Sequence, residues 1–161
     1  MKIRTDFVTN SSSSSFILAF KTKTDKGITD ELLKSFPAKY LDKFSVVLKD
    51  VLHAEQFGKR ELRKRLTDRL KWSVRYDVEY AYQRKTKCSY TEARQYILST
   101  EGQARCKDLL KQQVNELMQS VQDKMVFVEI TYGDNDGDFF AELEYRVMPN
   151  LDVTVTTINN H

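Results

Sequence analysis

Three stretches of this 161-residue chain group side chains closely enough to do chemistry. The first is Asn10 followed by Ser11, Ser12, Ser13, Ser14 and Ser15. Five successive hydroxyls are small donors and acceptors, so a loop of this kind can hold a phosphate on its backbone N–H groups or be phosphorylated itself. The glycine and lysine of a P-loop are missing, and a solvated connector between strands is the plainer reading. The second stretch is basic. Between Lys59 and Arg75 there are eight Lys/Arg (Lys59, Arg60, Arg63, Lys64, Arg65, Arg69, Lys71 and Arg75) against Glu61 and Asp68, a local net charge of +6. On a helix these cations can track a phosphate backbone by releasing its counterions, with Trp72 and Tyr76 at hand to stack on bases or on Arg. The competing expectation is a solvated outer face, some of its charge neutralised by the acidic C-terminal part of the chain and its aromatics in the core or half-buried.

The third stretch is acidic: Asp134, Asp136 and Asp138, then Glu142 and Glu144. Alternating aspartates about a glycine suggest a calcium loop, but the twelfth position counted from Asp134 is Tyr145, where an EF-hand requires glutamate. A hairpin turn accounts for them. Glu142 and Glu144 share one face of an expected strand, with nothing to mark a pocket. His53 lies on or beside an apolar helix stripe and His161 is the last residue, so neither shows a partner for nucleophilic catalysis. Cys88 and Cys106 form no C-x-x-C pair and are expected to be reduced thiols. No catalytic residue, metal site or cofactor is expected.

The stretch Phe7-Val8-Thr9-Asn10-Ser11-Ser12-Ser13-Ser14-Ser15-Phe16, preceded by Lys2-Ile3-Arg4, resembles an N-terminal signature of small, mostly uncharacterised bacterial and bacteriophage proteins. The resemblance covers about the first 18 residues. It implies a bacterial or phage origin and brings no activity with it.

These residues need elements to hold them. Residues 2–8 and 16–22, rich in β-branched and aromatic types, read as two strands joined by the serine loop. Thr29 is placed to cap a short helix ending near Phe36, ahead of Pro37. Leu41, Phe44, Leu48, Val51 and Leu52 share one face of a second helix that Gly58 ends. Leu62, Leu66, Leu70, Val74, Val78 and Tyr82 recur every four residues in a long third helix, and that step overshoots one turn by about 40°, so the stripe winds around it. Ser89–Glu92 and Thr100–Gln103 both fit the capping-box pattern and start two more helices. After Lys124 the period falls to two: strands are expected over 126–132, 139–147 and 152–158, with turns at 133–138 and 149–150.

The expected class is α+β, a single domain over 1–161. A mostly antiparallel sheet combines the N-terminal strands (1–22) with a C-terminal three-strand meander (125–158), and the helical segment (29–123) packs on one face. With 40% hydrophobic and 30% charged residues and a net charge of +3, the composition is that of a folded globular protein. Charges interrupt residues 1–8, and the apolar run Phe16–Phe20 is too short for a membrane span, so neither export nor membrane insertion is expected and a cytoplasmic location is. The functional expectation is binding without catalysis: first a protein partner, on the acidic sheet edge or the basic helix; second nucleic acid, on Lys59–Arg75; third a phosphate-bearing ligand at the serine loop.

Overall fold

The structure is a computed structural model and describes residues 3–4, 13–119, 121–133 and 137–160. In chain order the elements are β1 (Ile3–Arg4), β2 (Ser13–Phe20), α1 (Asp25–Ser35), α2 (Phe44–His53), α3 (Lys59–Thr86), α4 (Tyr90–Leu98), α5 (Thr100–Met118), β3 (Val126–Tyr132), α6 (Asp138–Glu142) and β4 (Thr154–Asn160). A 3₁₀ segment, Ala38–Lys43, leads into α2, and α6 continues as a π-helical turn over Leu143–Val147 and a 3₁₀ turn over Met148–Asn150. The α+β class holds. The chain forms two compact units, one of Met1–Lys59 with Val121–His161 and one of Arg60–Ser120.

In the first unit the sheet order is β1-β4-β2-β3, with β2 antiparallel to both neighbours and β1 parallel to β4. Alternation along β2 sends Phe16, Leu18 and Phe20 to one face, opposite Ile130, Val128 and Val126 of β3. Ile28 and Leu32 of α1, Val47 and Val51 of α2, and Leu143, Val147 and Met148 complete that buried core. Helix α1 begins at Thr24, whose hydroxyl accepts the Gly27 N–H at 3.2 Å, rather than at Thr29. The first compatible cap wins because the turn it satisfies is already inside the helical run.

Three expectations about strands are corrected. Where residues 2–8 were to pair with β2, the described part is the two-residue β1, lying against β4 (Ile3↔Thr156). Ser13, Ser14 and Ser15 belong to β2 and not to a loop, because a central strand has both backbone edges paired and that outweighs the weak strand preference of serine. Asn10, Ser11 and Ser12 lie outside the described residues, as do residues 134–136 of the expected turn at 133–138. Residues 139–147 are helical, so the expected meander is two strands, β3 and β4, with a helical connection. Leu143 and Val147, four apart, fit either period. Tyr145, placed on the core face by alternation, is 54% exposed, and Phe139 and Phe140 pack against the core instead.

The helical segment lodges the Glu142 and Glu144 carboxylates in the first unit. The Ser14 hydroxyl donates to Glu144 Oε1 at 2.5 Å in a buried hydrogen bond, and Lys43 Nζ lies 2.9 Å from Glu142 and 4.4 Å from the Phe139 ring centroid. The Glu142 hydrogen bond, more than the nearby Asp42, raises the Lys43 ammonium above its ordinary range. The Tyr132 hydroxyl donates to Asp50 at 2.8 Å, and burial above all pushes its phenol far up.

In the second unit the winding stripe of α3 is realised: Leu62, Leu66, Leu70, Val74 and Val78 are all buried. Ser89 forms the expected capping box with Glu92 at the start of α4. The second expected box does not form. Ser99 is the cap of α5, accepting the Gly102 N–H at 3.1 Å, because the helix starts one residue earlier and puts glycine where the box needs an acid.

Candidate functional site

A step of two residues turns a helix by about 200°, so residues two after each buried α3 position point away from the core. Beyond Leu70, Val74 and Val78 those residues are Trp72, Tyr76 and Tyr80. They are 57%, 43% and 50% exposed, so of the two expected placements, in the core or half-buried, the core one is corrected. The rings form a ladder. Trp72 and Tyr76 stack at 6.0 Å between centroids and 12° between planes, and Tyr76 and Tyr80 at 6.3 Å and 5°. The Arg84 guanidinium lies 5.8 Å from the Tyr80 ring centroid and continues the row.

Helix α4 adds a second wall. Tyr82 of α3 stacks on Tyr96 of α4 with centroids 3.8 Å apart, which holds the two helices together beside the ladder. A cavity of about 220 Å³ results, lined by Trp72, Arg75, Tyr76 and Glu79 of α3 and by Tyr90 and Arg94 of α4. Glu79 follows the buried Val78 on α3 and is itself only 9% exposed. Its Oε1 is buried and has no hydrogen-bond partner among the described residues. A buried carboxylate oxygen in that state costs stability, and such groups in folded proteins usually have a counterpart.

The six residues of the basic run that are the contact candidates, Lys59, Arg60, Arg63, Lys64, Lys71 and Arg75, are placed as follows. Lys59 belongs to the first unit and pairs with Asp123 at 2.7 Å, which lowers the Asp123 carboxyl. Arg60 is exposed; Arg63 donates to Asn115 at 2.9 Å; Lys64 lies 3.9 Å from Glu61 and Lys71 2.7 Å from Asp68. Two of these four partners, Glu61 and Asp68, are neighbours on α3, Asn115 lies on α5, and Asp123 alone of the four belongs to the C-terminal part of the chain. Only Arg75 joins the aromatic site. The serine run makes no ligand cradle among the described residues: Ser14 bonds Glu144, and Ser15 bonds Thr131 across β2 and β3 at 2.9 Å.

Sequence reasoning named Trp72 and Tyr76 but missed Tyr80, Arg84, Glu79, Tyr90 and Arg94 as site residues. A signal for the first two was present, since 72, 76, 80 and 84 form a four-residue series directly opposite the apolar one. Nothing in the sequence joins Tyr90 and Arg94 to it, because that requires knowing how α4 folds back. His53 is exposed, with Nδ1 2.7 Å from the Lys49 carbonyl oxygen. Among the described residues no group of three or more His, Cys, Asp or Glu could hold a metal, and no helix is long and apolar enough to cross a membrane.

Comparison with protein-family models, curated proteins and solved structures finds no match for this chain.

Proposed function

We propose that the chain binds single-stranded nucleic acid on the α3–α4 face. The observation that carries this reading is the outward Trp72–Tyr76–Tyr80 ladder, flanked by Arg75, Arg84 and Arg94. Exposed rings in register offer faces and edges to unpaired bases, and guanidinium groups beside them meet the phosphates that join those bases. Charge supports it too. Arg60–Ser120 holds fourteen Lys/Arg against eight Asp/Glu, a net of +6, whereas the rest of the chain nets −3.

Trp72 is the only tryptophan in the chain, so its fluorescence reports on the ladder directly. Titration with short unstructured oligonucleotides is expected to quench it, with affinity falling linearly in log salt at a slope of roughly −0.7 per phosphate contacted. Replacing Trp72 or Tyr80 with alanine should cost about 1–3 kcal/mol of binding for each base that stacks. An absence of binding at low salt, or an affinity untouched by both substitutions, sinks the reading.

A protein partner is the second reading, favoured by the same cluster, because exposed Trp, Tyr and Arg are the residues that dominate protein interfaces. It predicts association that persists at salt concentrations that release nucleic acid.

A further inference from the structure

We propose that the α3 ladder takes an unstacked single strand at one nucleotide per rung over its four rungs, and so selects pyrimidine runs over adenine runs and over duplex. The inference rests on the nucleic-acid reading above and deepens it to the register, length and base class of the strand. Its basis is the spacing of the rungs. Trp72 and Tyr76 are 6.0 Å apart between ring centroids, Tyr76 and Tyr80 are 6.3 Å apart, and the Arg84 guanidinium carbon lies 5.8 Å from the Tyr80 centroid. The helix sets this interval, because four residues rise about 6 Å along its axis. Ring planes only 12° and 5° apart present the three aromatic rungs the same way along the row.

Stacked bases of one strand follow one another at roughly 3.4 Å. Successive bases in that state cannot meet successive rungs, since each rung advances by much more than one base. They can do so once they part from one another and the sugar–phosphate backbone extends. Each base then exchanges its neighbours in the strand for an exposed ring, or at the last rung for the guanidinium plane of Arg84, on which bases also stack. A duplex keeps its base faces inside its own stack and offers the ladder none except at its ends. Single strands differ in what the exchange costs them. Every base has a face for the rings, so a thymine or uracil run, whose bases stack weakly on one another, gives up little, whereas an adenine run must first break its own stack. Beside Trp72 and Tyr76, Arg75 and Arg94 outnumber Glu79, which leaves that end of the row positive for the phosphates of the extended backbone.

The test titrates the unaltered protein with oligothymidylates of increasing length at one low salt concentration, read by Trp72 fluorescence. Affinity is expected to rise roughly fivefold or more with each nucleotide up to the fourth, the lower end of what stacking on an aromatic ring contributes, and then to level off. In Arg84→Ala the levelling should come at the third. Oligoadenylate of equal length should bind severalfold more weakly, and its base-stacking circular dichroism band should be lost in the complex. A rise that continues undiminished past the fourth nucleotide overturns the proposed register while leaving the ladder's binding of single strands in place. So does a levelling that Arg84→Ala leaves at the fourth, oligoadenylate binding as tightly as oligothymidylate, or a circular dichroism band that survives binding. Failure of every strand to bind at low salt overturns both readings. The length and base series need no variant, and Arg84 is exposed, so its replacement spares the core.

Discussion

Glu92 shows how one side chain can set both a helix boundary and its response to acid. Its carboxylate accepts from the Ser89 backbone N–H at 2.9 Å and from the Ser89 hydroxyl at 2.8 Å. The backbone bond first, then the side-chain bond, holds its pKa below the ordinary 4.5. A carboxyl depressed in the folded state binds fewer protons there than in the unfolded chain, so stability rises with pH. The contribution is complete above the ordinary value and is lost as pH falls through the folded one. An NMR titration of Glu92 should therefore give a midpoint below 4.5, and a midpoint at or above it would show that the capping box does not persist in solution. This box was legible in the sequence because all its parts lie within four residues. Glu79 was not, since its burial depends on α4, and Ser14 was misread because its partner, Glu144, is 130 residues away.

At the scale of elements, the α4 and α5 backbones approach at Gly102 too closely for a side chain. A Cβ on Gly102 would fall 2.1 Å from the Tyr96 carbonyl oxygen, which belongs to helix backbone and has little room to give. Gly102→Ala should destabilise the protein by about 1–3 kcal/mol, as overpacking does, despite the better helix propensity of alanine. Urea unfolding measures this directly, and an unchanged or raised midpoint would mean the two helices do not meet there. Long periodic elements such as α3 were readable because six apolar positions agreed on one period. Residues 139–147 were not, because Leu143 and Val147 satisfy strand and helix spacing equally and only tertiary packing of Phe139 and Phe140 decides between them.

At the scale of the molecule, the two units differ in how far apart in sequence their parts lie. Arg60–Ser120 is continuous and helical, whereas the first unit joins residues on either side of it. Where the chain leaves and re-enters the first unit, Phe57 and Phe127 exchange two backbone hydrogen bonds of 2.9 Å, and the Lys59–Asp123 pair lies beside them. Local helical contacts form faster than pairings that must close a long intervening loop. Pulsed hydrogen exchange during refolding is expected to protect α3–α5 amides before those of β2. Simultaneous or reversed protection would show that the sheet does not wait for the helices.

The position of β2 in the sheet bears on how the protein is made. Its two antiparallel neighbours, β3 and β4, are encoded more than a hundred residues downstream, so during synthesis on the ribosome Phe16–Phe20 emerges long before either can pair with it. At roughly 5–20 residues per second, this apolar strand waits several seconds with both edges unpaired. An apolar strand with unpaired edges is prone to aggregate, so the yield of folded protein is expected to rise when chain concentration during refolding is lowered.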